Sequence, residues 1–436
     1  MLGCAGASPP PLPGPVPPDS ATEHAAPPRP GEERTAALAL LAGDELRLED
    51  ALRVADLLEP TLAAERKNID LAAAAALEAR LYPNPSLTIE AEEYHKSGPT
   101  AGKMNRTVGL SIPIVVSGRL GAAEAVANKE EEIAALEYLA KRLEVFAAVR
   151  RAFVELLAAR QSADISRESR DISAGLHEAS RARFDASAIP EMEYLKAAVD
   201  LAKAEAEVRQ AERDVSRSAR ALNAAMGDPD LPERRPAGRL ASEFETPDAE
   251  ALRRAMAESH PLIQAAERRR EHASLGMDLA KSGRWADSEF SIEGGLDAED
   301  RGMVTAGFRI PLPLFDASRP RIRAAEVRTE QARLRARATH NELALALGAA
   351  RREFAAAQDR VQAFDREILP RARKVLDQTR EGYAAGKFGQ IDLLDARRTL
   401  ADARGALLAA VRDLNLAAAE LESLTGLVVP PLPGKE

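Results

Sequence analysis

Apolar residues along this chain switch between two spacings, and the switch occurs twice in the same order. Residues 86 to 94 alternate apolar and polar at their start, through Leu87 and Ile89, as a strand with one apolar face does. Residues 106 to 114 alternate again through Val108, Leu110 and Ile112, so the two segments predict a hairpin. From about 118 to 186 the spacing changes to threes and fours. Ile133, Leu136, Leu143, Phe146, Val149, Val154 and Leu157 then form one helical stripe. No proline interrupts it, which predicts one helix about 100 Å long at 1.5 Å per residue. A helix over about 48–80 precedes the strands. Pro60 kinks or splits it, and Tyr82-Pro83-Asn84-Pro85 ends it. A turn at Ala186-Ser-Ala-Ile-Pro190 reverses the chain, and a second helix over about 190–226 stops at Gly227-Asp-Pro229.

The remainder repeats this order after a proline-rich connector over 228–247. It predicts a helix over about 249–281 with Pro261 inside, strands near 287–296 and 303–312, a long helix over 316–385 and a last helix over 389–425. Landmarks recur at a near-constant offset of 198 to 203 residues. Pro60 returns as Pro261, Ile89-Glu90 as Ile292-Glu293, Gly109-Leu-Ser-Ile-Pro113 as Gly307-Phe-Arg-Ile-Pro311, Phe184 as Tyr383 and Gly227 as Gly426. Internal repetition of this kind sets the architecture. It predicts a first repeat over 46–245 and a second over 246–436, after an N-terminal segment over 1–45. Two short helices laid end to end match one long one, which is the geometry of a cylinder of near-equal staves.

Each repeat supplies two strands of about nine residues, the length a tilted strand needs to cross a bilayer. Four strands cannot close a barrel, and lipid does not tolerate their unpaired edges. Three chains would give twelve strands, within the range of outer-membrane barrels. The expected fold is therefore mainly α with a small β part. Long antiparallel helices form a trimeric α-barrel, and four strands per protomer join a shared 12-stranded transmembrane β-barrel. Tyr82, Tyr94, Trp285 and Phe308 are candidate interfacial aromatics. The alternative is a soluble coiled-coil scaffold or adaptor capped by two hairpins. The identical placement of the hairpins between the same helices of each repeat favours the barrel.

Composition narrows the function further. The 436 residues are 30% charged and only 4% aromatic, a mixture of long helices. The net charge of −9 and the absence of an uncompensated basic stripe argue against nucleic acid. No apolar run reaches the ~20 residues of a transmembrane helix. The single cysteine, Cys4, excludes an intramolecular disulfide. Met1-Leu-Gly-Cys-Ala5 resembles a lipobox, so Cys4 is the expected acylation site, with a start further upstream supplying the rest of the signal. The proline-rich residues from 5 to about 35 read as an extended tether behind it. Six histidines (His24, His95, His177, His260, His272, His340) are scattered without metal-ligand spacing. No catalytic constellation stands out, so neither an enzyme nor a bound cofactor is expected.

Several phrases are similar to the TolC-like outer-membrane efflux family. Leu81-Tyr-Pro-Asn-Pro-Ser-Leu87 looks like its first hairpin entry, and Gly307-Phe-Arg-Ile-Pro-Leu-Pro-Leu-Phe315 like its second strand exit. Tyr383-Ala-Ala-Gly386 followed by Ile391-Asp-Leu-Leu-Asp395-Ala396 resembles its helix-tip turn. The resemblance spans roughly residues 45 to 430. It implies a homotrimeric exit duct in the outer membrane of a Gram-negative bacterium, extending into the periplasm. The duct would pass substrate passively in a tripartite efflux pump, with a periplasmic adaptor and an inner-membrane transporter of the RND type. The Pro-Asn-Pro and Ile-Pro-Leu-Pro-Leu-Phe phrases lean to the cobalt-zinc-cadmium branch; drug or solvent efflux is the alternative. In the family the Asp-x-x-Asp pattern lines the periplasmic mouth, which assigns Asp392 and Asp395 to a carboxylate gate, a way to favour cations. In the first repeat Glu193 matches Asp392, but Lys196 matches Asp395, so the second repeat carries the gate. A basic bridge partner is not obvious, with Lys387 only a near neighbour. The tips, with Phe184 and Ile189 in one turn and Tyr383, Gly386 and Phe388 in the other, are the expected adaptor-docking surface.

Overall fold

The computed structural model describes residues 32–92, 104–115, 117–284, 287–297, 301–312 and 318–431. Cys4, the proline-rich run to residue 31, Tyr94, Trp285, His24, His95 and the hairpin loops containing Ser97-Gly98-Pro99 lie outside them. The described chain is mainly helical with a small sheet.

The N-terminal segment holds α1 (Glu32–Leu40), which begins inside the stretch read as tether and runs past its end. Beyond Pro30 the sequence Glu-Glu-Arg-Thr-Ala-Ala-Leu-Ala-Leu lacks proline and is rich in helix formers, so the extended segment gives way to a helix. After β1 (Glu45–Leu46), α2 (Leu48–Leu58) and α3 (Pro60–Ala79) meet at Glu59. Pro60 has no amide hydrogen and suits the first helical position, so one helix ends and another starts. The Glu59 carboxylate accepts the Leu62 amide at 2.9 Å and caps α3. The strands β2 (Ser86–Glu92) and β3 (Asn105–Ile114) follow, then α4 (Arg119–Asp185), an unbroken helix of 67 residues, and α5 (Glu191–Ala225).

The second repeat opens after β4 (Arg235–Pro236) with α6 (Ala249–Ser259) and α7 (Pro261–Ser282), split at His260-Pro261 as the first pair is at Glu59-Pro60. Then come β5 (Ser288–Leu296) and β6 (Gly302–Arg309). The expected long helix is interrupted: α8 (Arg319–Ala363) passes through a π-turn at Phe364–Ile368 into α9 (Leu369–Ala384), and α10 (Gln390–Thr425) closes the repeat.

The contacts divide the chain into two compact units, each drawing on both repeats. One unit holds residues 65–138 and 261–340. Its strands form an antiparallel sheet in the order β2-β3-β5-β6. Its helices contact one another in the matching order. Arg66 on α3 donates to the Tyr138 hydroxyl on α4 at 3.0 Å. Lys129 on α4 pairs with Glu271 on α7 at 3.1 Å, and Arg268 with Glu132 at 3.2 Å. Thr329 on α8 donates to the Ala273 carbonyl on α7 at 3.2 Å. Hydrogen bonds from Arg268, and then from Lys129, hold the Glu271 carboxyl below the usual range.

The other unit holds residues 1–64, 139–260 and 341–436. Its buried positions include Val149, Phe153 and Leu156 on α4 and Val411, Leu414 and Leu421 on α10. The N-terminal segment is fixed to the connector between the repeats. Strand β1 pairs in parallel with β4, and Arg234 donates to the Leu41 carbonyl at 2.8 Å. At the far end of the repeats, Gly227 adopts φ +96 and a Cβ there would meet the Leu58 oxygen at 2.6 Å. The end of α5 therefore rests directly on the α2–α3 break.

Candidate functional site

The sheet has two chemically distinct faces, set by the period-2 alternation of its strands. Ile89 lies opposite Val108, Leu110 opposite Ile292, and Phe290 opposite Phe308, so one face is continuous hydrocarbon. Ile89 is 75% exposed and Val304 78% exposed, too much for a face covered by its own chain. On the other face Ser111 donates to the Glu289 carboxylate, which also accepts from Arg309. Glu293 lies over Gly109, where a Cβ would meet its side chain at 2.6 Å. Thr88, Glu90 and Thr305 share this polar face by register. No described helix is long and apolar enough to cross a membrane.

The helix tips are built alike. After Phe184, the Ser187 amide donates to the Phe184 carbonyl and the Ala188 amide to the Arg183 carbonyl, both at 2.8 Å. After Tyr383, the Gly386 amide donates to the Tyr383 carbonyl at 3.1 Å and the Lys387 amide to the Gly382 carbonyl at 2.8 Å. This pairing is a Schellman closure and needs a left-handed residue at the turn. Gly386 fills it at φ +72, and Ser187 at φ +56. Phe184 and Ile189 are half-buried, with the Phe184 ring 5.5 Å from that of Tyr194. Phe388 is half exposed and lies over Gly382, whose missing side chain makes the room. Arg183 bonds the Tyr383 hydroxyl at 2.8 Å, so the two tips meet.

Asp392 and Asp395 are both exposed on the first turns of α10. The Asp392 carboxylate accepts the Gly389 amide at 2.8 Å and so caps its own helix. Asp395 lines a groove of ≈ 1030 Å³ beside α4, α5, α9 and α10, together with Met192, Leu195, Val199 and Ile391. Lys196 reaches the same groove from α5, whereas Glu193 is half-buried just before it. Two further residues, Arg183 and Arg397, belong to this region and are not marked by the sequence. Arg397 donates to the Ile172 carbonyl at 3.5 Å; burial, opposed by Asp200, makes its charge less favourable than usual. Neither residue carries a local motif, since each owes its position to contacts between repeats.

The described histidines do not converge. His177 stacks on Tyr194 at 5.3 Å, His272 lies 3.4 Å from Glu130, and His260 is buried, which lowers its pKa. Among the described residues no group of three His, Cys, Asp or Glu side chains could hold a metal ion.

Comparison with known proteins agrees with this layout. The chain is 29% identical over 388 residues to the cobalt-zinc-cadmium resistance protein CzcC of Cupriavidus metallidurans, covering 88% of this chain and 91% of that one. The crystal structure of CusC superposes with a TM-score of 0.73 at 15% identity, over 87% of this chain and 91% of that one. The outer membrane protein VceC of Vibrio cholerae superposes with a TM-score of 0.69 at 18% identity, over 87% and 96%. The sequence pattern of the outer membrane efflux proteins matches twice, over residues 52–228 and 252–427, once in each repeat. With that pattern covering most of its length and the two-faced sheet in place, the chain belongs to the outer membrane efflux protein family.

Proposed function

We propose that the chain is one third of a homotrimeric exit duct, which passes substrate from periplasm to exterior in a tripartite efflux pump. One observation carries the reading. The sheet and the helix row beside it are open at corresponding ends: β2 and β6 are the outer strands, and α3 and α8 the outer helices. An apolar, one-sided sheet with free edges needs further strands to survive in lipid. Three copies supply twelve and turn the Glu90, Glu289 and Glu293 face toward the lumen.

The pump partners are a periplasmic adaptor, docking at the Phe184–Ile189 and Tyr383–Phe388 tips, and an inner-membrane transporter of the RND type. Asp392 and Asp395 form the carboxylate gate, with Glu193 as the first-repeat counterpart of Asp392. Cys4 carries the lipid anchor in the outer membrane. The cargo is a heavy-metal cation; relatedness to CzcC and the carboxylates of the polar face favour it over a drug or solvent.

Purified protein should run as a trimer in detergent, fractionate with the outer membrane, and give cation-selective conductance in a planar bilayer. A monomer that stays dispersed in plain buffer would overturn the duct. Selectivity for anions would overturn the metal cargo alone.

A further inference from the structure

Glu130 on α4 and His272 on α7 meet where the two repeats touch. His272 Nε2 lies 3.4 Å from Glu130 Oε2, and both side chains keep contact with solvent, at 33% and 57% exposure. Among the described residues neither side chain has another hydrogen-bond or ion-pair partner. The neighbouring cations are already engaged. Lys129 pairs with Glu132 at 2.8 Å and with Glu271 at 3.1 Å, Arg268 with Glu271 at 3.0 Å, and Arg269 with Glu137. A ladder of ion pairs thus runs past Glu130 without closing on it. Helices α4 and α7 are the two inner members of their row, so the pair does not lie at its free ends. The arrangement occurs once per chain, because the counterparts of Glu130 and His272 in the other repeat are Thr329 and Leu71.

A separation of 3.4 Å is long for an N–H···O hydrogen bond, which centres near about 2.9–3.0 Å. It suits a bridging cation better. Two metal–ligand bonds of about 2.1 Å at a tetrahedral angle span about 3.4 Å. An imidazole nitrogen beside a carboxylate oxygen is a donor set for divalent transition ions, whereas magnesium and calcium favour shells of oxygen. We infer that Glu130 and His272 form a two-ligand site for a divalent cation of the zinc class, with water in its remaining positions. The site falls short of a three-residue cluster, and two features keep it weak. It supplies half the protein ligands of a structural zinc centre. No described group holds the second ring nitrogen of His272, the contact that ordinarily fixes a ligating imidazole. Binding that is weak and quickly reversed is what a conducting path requires. The site follows from the α4–α7 geometry alone; its role as a stepping point for exported metal rests on the duct reading.

Zinc chloride titrated into the untagged, assembled full-length protein in detergent tests the site by calorimetry. The wild type should bind one zinc per chain that His272→Gln and Glu130→Gln each weaken at least tenfold. His177→Gln removes an imidazole stacked on Tyr194 instead, and should leave that zinc in place. Excess magnesium should not displace it. Cobalt(II) gives a second readout, a visible spectrum with nitrogen ligation that His272→Gln abolishes and His177→Gln preserves. Without metal both site variants should melt with the wild type, since an exposed pair contributes little. Equal zinc affinity in the wild type, His272→Gln and Glu130→Gln, or displacement by magnesium, overturns the site. Zinc held by this pair in a protein that conducts no ions would remove the duct reading and leave the site. A cation-selective duct with no zinc at this pair would remove the site and leave the duct.

Discussion

The Arg183 guanidinium donates a 2.8 Å hydrogen bond to the Tyr383 hydroxyl and sits 5.7 Å from the centre of its ring. The two residues are 200 positions apart and belong to the tips of different repeats. Phe184 and Tyr383 occupy equivalent places, so the hydroxyl that distinguishes them is the atom that ties one tip to the other. Any separation of the two tips must break this bond. Tyr383→Phe keeps the ring under the guanidinium and removes the hydrogen bond, about 0.5–1 kcal/mol at an exposed site. Open probability in a planar bilayer should rise two- to fivefold, and Arg183→Ala should raise it at least as far. No change in either variant would mean that the contact does not restrain the tip.

Left-handed residues give a graded stability series. Gly426, at φ +70, has only the Ser259 hydroxyl within reach of an added Cβ, at 3.9 Å. Gly426→Ala should therefore cost about 1 kcal/mol, the left-handed penalty alone. Gly227→Ala adds a clash with the Leu58–Glu59 backbone and should cost clearly more. Ser187→Gly should stabilise by about 0.5–1 kcal/mol, because glycine adopts φ +56 without strain. Denaturant midpoints should rise from Gly227→Ala through Gly426→Ala to the wild type, with Ser187→Gly above it.

Much of this architecture was legible in the sequence because its signals are local. Prolines, glycines and the change of period mark where elements begin and end, so Pro60, Pro261, Gly227 and the strand alternation located the breaks directly. The π-turn was not legible. Leu369-Pro370 reads as a kink inside a helix, and only the surrounding backbone decides that an extra residue is looped out. The helix α1 was hidden by the prolines before it. The candidate site divides in the same way: Asp392 and Asp395 follow from a motif, whereas the Arg183–Tyr383 and Arg397–Ile172 contacts depend on which helices become neighbours.

Glu422 links pH to stability. Its carboxylate pairs with Arg150 and accepts the Val429 amide at 3.1 Å, which holds the C-terminal segment. Burial raises its pKa, and Arg150 and the Val429 amide only partly offset that. With the folded pKa above the unfolded one, the folded state binds the proton more tightly. Stability from this group therefore falls as pH rises through the folded pKa and is regained on acidification toward the ordinary carboxylate range. Glu422→Gln should flatten the dependence of the melting temperature on pH as the pH is lowered from neutral toward the ordinary carboxylate range. An unchanged slope would mean that the burial penalty is already compensated.

The outer helices make the assembly testable. Ala324, Val327, Gln331, Leu334 and Ala338 follow one another on α8 at alternate spacings of three and four, and all are exposed. This is a heptad stripe without a partner among the described residues. On α3 the run Leu71–Leu77 is wholly apolar, with Ala72 and Ala76 buried and Leu71 and Leu77 exposed. An all-round apolar helix is covered on both sides. Ring closure would lay α8 of one copy on α3 of the next, with Arg328 and Arg335 beside the stripe and Glu78 on α3 as their complement. Leu71→Cys with Leu334→Cys, or with Val327→Cys one stripe position away, should oxidise to covalent trimers. Leu334→Asp should weaken the trimer in detergent. Trimers that form without any cross-link would place a different face at the seam.

The two carboxylates proposed as the gate should not contribute equally. Asp392 spends part of its charge on the Gly389 amide, so Asp392→Ala removes a helix cap worth about 1 kcal/mol as well as a charge. Asp395 has no such duty and faces the groove with Lys196 and Arg397. Threefold repetition of Asp395 would make a ring of carboxylates whose mutual repulsion is relieved by a bound cation. Asp395→Asn keeps the size, removes only the charge, and should lower cation selectivity with little effect on the melting temperature. Asp392→Asn should lower both, and the double Ala variant should raise single-channel conductance above either single change. Selectivity that survives Asp395→Asn would shift the cation filter away from the mouth, to the Glu90, Glu289 and Glu293 face of the sheet, where Glu293→Gln is the next variant to measure.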